Sequence, residues 1–203
     1  MTATVSTDWL GRLHNYQPRL VPDSARQAAV MVLLADSTDG LQMLLTQRSR
    51  HLVSHPGEVS FPGGNVEPYD DDLYCTALRE TREETGLTET PNYVGQLDSL
   101  YAKSGIQVSA FVSHLDHLPH LVASPDEVAE VFWVPLAELL HNPPRYEMFE
   151  RQGRQWRVPF FDYEQWTIWG MTGMILVNCL NVIQGSDWPG FHEEWSANPM
   201  DAD

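Results

Sequence analysis

The sequence predicts a mixed α+β fold in which a β-rich middle surrounds one sharply bounded helix. Two observations predict it. Apolar runs recur between glycine, proline and aspartate turn signals through residues 28–134, as half-buried and fully buried strands do. Inside that region, residues 73–85 place apolar side chains at helical spacing between an aspartate-rich start and a glycine stop.

In chain order, residues 1–24 read as an N-terminal arm punctuated by Pro18 and Pro22, with room for a short helix. One domain is expected over 25–184. Residues 28–34 are continuously apolar, and 41–48 follow the turn residues Ser37-Thr38-Asp39-Gly40, so the two segments form a hairpin. Residues 49–57 have loop character. Residues 58–61 make a short strand, stopped by a glycine turn at Pro62-Gly63-Gly64. Asp70-Asp71-Asp72 supply side-chain caps and negative charge to a helix start, Leu73, Ala77 and Leu78 continue the helix, and Gly86 ends it. Strands are expected at 93–101 and 106–114, separated by Lys103-Ser104-Gly105, and at 130–134 before Pro135. A short helix at 136–141, a strand at 156–161, a longer apolar helix at 171–183 and a polar tail at 185–203 complete the chain. No internal repeat is present, which removes solenoids and propellers.

A chain of 203 residues can bury a substantial core. Its formal charge of −16 excludes a nucleic-acid backbone as the main partner, since Lys103 is the only lysine. A phosphorylated substrate must therefore be small, and must meet a metal cation or a few arginines. The N-terminus lacks the basic and apolar pattern of a secretion signal and no stretch is long enough to span a bilayer, so a cytoplasmic protein without a membrane partner is expected. Cys75 and Cys179 form no ligand pattern and read as packing residues.

In Arg79-Glu80-Thr81-Arg82-Glu83-Glu84, the acids at 80, 83 and 84 stand three and four positions apart, so their carboxylates are expected on one helical face. Repulsion makes such a group costly without cations. Hard oxygen donors suit Mg²⁺ or Mn²⁺, which in turn bind phosphate oxygens. An isolated string of this kind is more often a solvated face laced with ion pairs. Gly63-Gly64 after a strand, and Gly86-Leu87 at the helix's far end, shift the reading to a ligand site.

With these residues in place the chain resembles the Nudix hydrolase family: Gly64, Asp70, Arg79-Glu80, Glu83-Glu84, Gly86 and Leu87 match its signature. Asp70 replaces the usual glutamate and lies one residue farther from Arg79, and Thr81 occupies an aliphatic position. A narrower resemblance, to the coenzyme A pyrophosphatase branch, rests on that longer spacing and on Thr76-Ala77-Leu78-Arg79-Glu80. It also rests on an upstream motif of Leu44-Leu45-Thr46-Gln47-Arg48-Ser49, Gly57 and Phe61-Pro62-Gly63-Gly64. Val53 stands where the branch carries arginine. Weaker similarity extends over 28–180, including Asp126-Glu127-Val128, Phe132-Trp133-Val134-Pro135 and Ile168-Trp169-Gly170.

The resemblance implies an α/β/α sandwich with a mixed sheet, the acidic helix packed beside it, and diphosphate hydrolysis by metal-activated water. Glu80, Glu83 and Glu84 would hold Mg²⁺ or Mn²⁺. Glu80 and Glu83 with Arg79 form the implied catalytic group, and Arg48, Phe61, Gly63 and Gly64 the implied substrate contacts. Coenzyme A or an acyl derivative is the implied substrate, giving adenosine 3′,5′-bisphosphate and the corresponding 4′-phosphopantetheine. A nucleotide sugar, ADP-ribose or a dinucleoside polyphosphate is the alternative within hydrolysis. A non-catalytic nucleotide sensor and a cysteine-based isoprenoid diphosphate isomerase are alternatives of other classes, and a homodimer is left open.

Arg48 and Arg50 are candidate cations for an anionic substrate, with a surface ion pair as the alternative, and Glu127 and Glu130 are candidate late carboxylates with a structural role as the equal alternative. His51 and His55 read as ordinary loop histidines. His114, His117 and His120 are spaced by three in an irregular segment and receive no role.

Overall fold

The computed structural model describes residues 5–151 and 154–190; the arm's residues 1–4 and the tail from 191 onward lie outside the described residues. The chain opens with α1 (Trp9–His14), the short helix for which the arm had room. β1 (Gln27–Ser37) and β2 (Gly40–Arg48) form the expected hairpin, closing where Ser37 pairs with Gly40. Then come β3 (Val59–Ser60), β4 (Gly63–Asn65), α2 (Leu73–Thr85), β5 (Asn92–Gln96), β6 (Leu100–Tyr101), β7 (Gln107–Leu115) and β8 (Val128–Pro135). α3 (Leu136–His141), β9 (Arg145–Arg151), β10 (Arg154–Tyr163), β11 (Trp166–Trp169) and α4 (Gly170–Gln184) follow.

β1 to β8 make one mixed sheet with the path β3-β2-β1-β7-β5; β8 and β4 attach to β2 and β1, and β6 to β7. Only β1 and β7 run parallel among its pairs. The continuous apolar run of β1 is explained by burial on both faces. Ala29, Met31, Leu33 and Ala35 face the layer holding α2, whereas Val32 and Leu34 join the larger core with Leu176, Leu180 and Ile183 of α4. The sandwich is thus α2, sheet, then α1 and α4. No helix among the described residues is long and apolar enough to cross a membrane.

Three expectations are corrected. Gly63 and Gly64 do not turn: they pair with Val30 and Ala29 as β4. A Cβ at Gly63 would lie 2.3 Å from the Ala29 carbonyl oxygen, so close strand approach is what the glycine permits. The single strand expected at 93–101 divides into β5 and β6, because residues 97–99 receive the N-terminal arm. Asp98, 2% exposed, accepts from Tyr16 Oη at 2.7 Å and from Arg19 N and Nε at 2.8 and 3.0 Å, and Ser99 Oγ accepts from Val21 N at 2.8 Å. The third correction is a second sheet, β9-β10-β11, of which only residues 156–161 were expected. β9 alternates Arg145, Glu147 and Phe149 with residues that are also largely exposed, so it offers no apolar period to read.

Asp98→Ala would leave the arm's donors without their buried acceptor, with an expected cost of about 2–4 kcal/mol in urea unfolding. Tyr16→Phe, which removes one hydroxyl, should cost about 1 kcal/mol.

Candidate active site

α2 starts where the Asp72 carboxylate accepts from Cys75 N at 2.7 Å and stops at Gly86, whose φ of 67° is left-handed. The helix buries Thr76, Ala77, Thr81 and Thr85 against the sheet. Thr81 fits its apolar setting because its hydroxyl donates to Ala77 O at 2.7 Å. Glu80 and Glu84 therefore emerge beside β4. A Cβ on Gly64 would sit 2.5 Å from the Glu80 carboxyl carbon, so this glycine supplies room for the acid.

The third carboxylate comes from the segment before β8. Val122 N and Ser124 N donate to Thr85 O and Glu84 O at 2.8 and 2.9 Å, tying that segment to the end of α2. Ser49 N donates to Glu127 O at 2.9 Å, Ser49 Oγ to Pro125 O at 2.9 Å, and His51 Nε2 lies 3.0 Å from Asp126 O. Glu80, Glu84 and Glu127 each bring one oxygen within 4.8 Å of the others.

At about 100° per residue, Glu84 and Glu83 stand about 40° and 60° to either side of Glu80, a shared face, but Glu83 is not one of the three clustered carboxylates. Its half-exposed carboxylate instead accepts from Arg79 at 3.0 Å. Arg79 is the hub beneath the site: it donates to Asp70 from two nitrogens at 2.9 and 3.0 Å, to Glu80 at 2.9 Å and to Asn65 O at 3.1 Å. The Arg79 hydrogen bonds hold the Asp70 carboxyl well below the usual carboxylate range, despite its burial. An aspartate at the usual glutamate position thus engages the arginine with both oxygens.

Burial raises the Glu84 carboxyl from 4.5 to about 8, aided by the charges of Glu80 and Glu127 and opposed by Arg48 and the Gly63 N–H. Burial also raises Glu80, against Arg79. Glu84 Oε2 is buried without a hydrogen-bond partner among the described residues. An unpartnered buried oxygen on a carboxylate that is clustered with two others belongs to a donor set that fits a hard divalent cation.

A cleft of about 600 Å³, lined by none of these three acids, opens between the β2–β3 end of the main sheet, the β6–β7 turn and the second sheet. Arg48 belongs to both places: it lines the cleft, and its charge acts on Glu84. Tyr101, Phe149, Trp156 and Trp169 line the cleft, and Gly170 to Thr172 bring the start of α4 to it. Phe149, Phe160 and Trp169 form a stacked row, with centroids 6.2 and 5.6 Å apart. Of the expected substrate contacts, only Arg48 lines this cleft. Phe61, just after β3, is 3% exposed within the larger core, and Gly64 makes room for Glu80 while Gly63 donates its N–H to Glu84. Sequence reasoning missed Phe149, Trp156 and Trp169, whose grouping requires the second sheet.

The other candidates disperse. His55 Nδ1 lies 2.9 Å from Glu58 Oε2, His114 pairs with Asp36, and His117 pairs with Asp116 and Glu89. Burial pushes the Cys179 thiol up to about 12, and Asp72 raises that of Cys75, so neither is an activated nucleophile.

Clustered oxygen donors, with a cationic and aromatic cleft joined to them through Arg48, fit a metal-dependent enzyme acting on an anionic substrate. A NUDIX-domain profile matches residues 25–156, and the chain belongs to the Nudix family. The uncharacterized Nudix hydrolase NudL of Photorhabdus laumondii is 37% identical over 169 residues, covering 82% of this chain and 90% of its own. NudL of Escherichia coli SMS-3-5 is 39% identical over 176 residues, with coverages of 83% and 90%. Among solved structures, the NUDIX domain of Shewanella oneidensis NrtR, complexed with ADP ribose, aligns with a TM-score of 0.47 at 23% identity, over 66% of this chain and 86% of that one. A MutT/nudix family protein of Enterococcus faecalis aligns with a TM-score of 0.48 at 24% identity, over 82% and 58%. The chain is a Nudix hydrolase acting on a diphosphate.

The raised Glu84 carboxyl has a consequence for stability. Its folded value of about 8 exceeds the ordinary 4.5, so the native state binds the extra proton between them, and stability from this group falls as pH rises through that window. In chelator, urea unfolding of the wild type should lose stability relative to Glu84→Gln from pH 5 to 8, at up to about 1.4 kcal/mol per pH unit. Parallel pH profiles would contradict it.

Proposed function

We propose that the protein cleaves the diphosphate of coenzyme A or an acyl-coenzyme A, with Glu80, Glu84 and Glu127 as ligands of Mg²⁺ or Mn²⁺. The observation that carries the reading is the group of three carboxylates, one of which, Glu84, feels the charge of Arg48 from the cleft lining. A divalent cation held there neutralises charge on the diphosphate and acidifies a bound water. The chain's own residues do the rest. Arg79 fixes the Glu80 carboxylate and tethers Glu83 at the edge of the site. Arg48 offers its guanidinium to a phosphate oxygen at the cleft. The walls formed by Tyr101, Trp156 and Trp169 suit a flat base or an apolar chain, and a volume of about 600 Å³ suits a ligand larger than a mononucleotide.

Coenzyme A is favoured over other nucleoside diphosphate derivatives by the motif from Leu44 to Gly64, which folds into β2, the loop after it, β3 and β4, and of which Arg48, Val59 and Ser60 line the cleft. Val53, standing where the coenzyme A branch carries arginine, favours the alternative, ADP-ribose or a nucleotide sugar.

Incubation with coenzyme A and Mg²⁺ or Mn²⁺ should release adenosine 3′,5′-bisphosphate and 4′-phosphopantetheine, read by chromatography. Hydrolysis of ADP-ribose with none of coenzyme A would end the substrate claim and spare the chemistry. Glu84→Gln should lower turnover by at least about a hundredfold while retaining the fold. Near-wild-type activity would remove Glu84 from the ligand set.

A further inference from the structure

We infer that Lys103 binds a second anionic group of the substrate, a ribose phosphate separate from the diphosphate that is cut. This rests on the coenzyme A reading and adds the residue that selects for that phosphate. Across the cleft lining, Arg48, His55 and Lys103 are the groups able to carry positive charge and Glu58 is the acid. His55 and Glu58 are 2.9 Å apart and answer each other. The remainder is two cations, in a chain whose formal charge is −16.

The two cations have different surroundings. Arg48 is coupled to the carboxylate end of the site through Glu84. Lys103, the only lysine in the sequence, stands exposed on the β6–β7 turn, and no ion pair holds it among the described residues. That turn is fixed. Ala102 N donates to Ile106 O at 2.8 Å, Gly105 N to Ala102 O at 2.9 Å with Gly105 at φ 77°, and Ser24 Oγ to Gly105 O at 3.0 Å. Next to it, Tyr101 Oη donates to Pro22 O at 2.6 Å. A flexible ammonium on an ordered turn at a cleft mouth is suited to a phosphate dianion, which it meets as a point charge. A substrate with anionic groups at two places thus meets Arg48 at one and Lys103 at the other, whereas Val53 lines no part of the cleft.

The test compares coenzyme A with dephospho-coenzyme A, which lacks only the ribose phosphate, using the full chain with Mn²⁺. Lys103→Gln should raise KM for coenzyme A about three- to tenfold, with kcat within about twofold, and leave dephospho-coenzyme A unaffected. Lys103→Arg should restore most of the loss, and Val53→Ala should change neither substrate. Equal effects of Lys103→Gln on both substrates, or none, would overturn the Lys103 assignment alone. Cleavage of ADP-ribose with neither coenzyme form turned over would overturn the coenzyme A reading and the phosphate subsite with it.

Discussion

Repulsion among Glu80, Glu84 and Glu127 is the constraint around which the rest of the site is arranged. Two full charges 4.8 Å apart repel by about 3 kcal/mol even at an effective dielectric of about 20. At Glu84 burial is the larger cause, and with this repulsion it raises the carboxyl to about 8. The neighbouring features limit that cost. Arg79 takes one Glu80 oxygen, Arg48 and the Gly63 N–H favour the charged Glu84, and Gly64 omits the Cβ that would displace the Glu80 carboxylate. The charge that remains is offset when a divalent cation binds, so affinity for the cation and strain without it have one origin.

The fold supplies rigidity where these acids need it. α2 is held by caps at both ends, by a face packed against β1 and β7, and by Arg79 bonded to Asp70 and to the backbone of β4. Glu127 has no helix beneath it; hydrogen bonds to the α2 terminus and to Ser49 take that role. The residues after β2 therefore act on both sides of the site. Arg48 reaches the cleft, while Ser49 and His51 clamp the segment that carries Glu127.

Local order was legible in the sequence. The hairpin, the cap and stop of α2, the strand of β7 and the helices α3 and α4 each announce themselves within a dozen or so residues. The glycine pair at 63–64 was read as a turn because its reason, the approach of β1 and of Glu80, comes from distant parts of the chain. The carboxylate group shows the same division. Glu80 and Glu84 follow from helical period, whereas the approach of Glu127 to them depends on hydrogen bonds between distant parts of the chain. The second sheet was opaque for another reason: β9 is largely exposed, so selection imposed no apolar rhythm on it.

That second sheet stands apart from the reacting groups. Phe149, Trp156 and Trp169 come from β9, β10 and β11, and none of the three clustered acids does. Mutation can accordingly remodel the hairpin wall, changing which molecule the mouth admits, without touching the machinery that cuts it. Diversification of appetite and retention of chemistry are inherited on separate stretches of polypeptide, which lets one family acquire new diets at little risk to its bite.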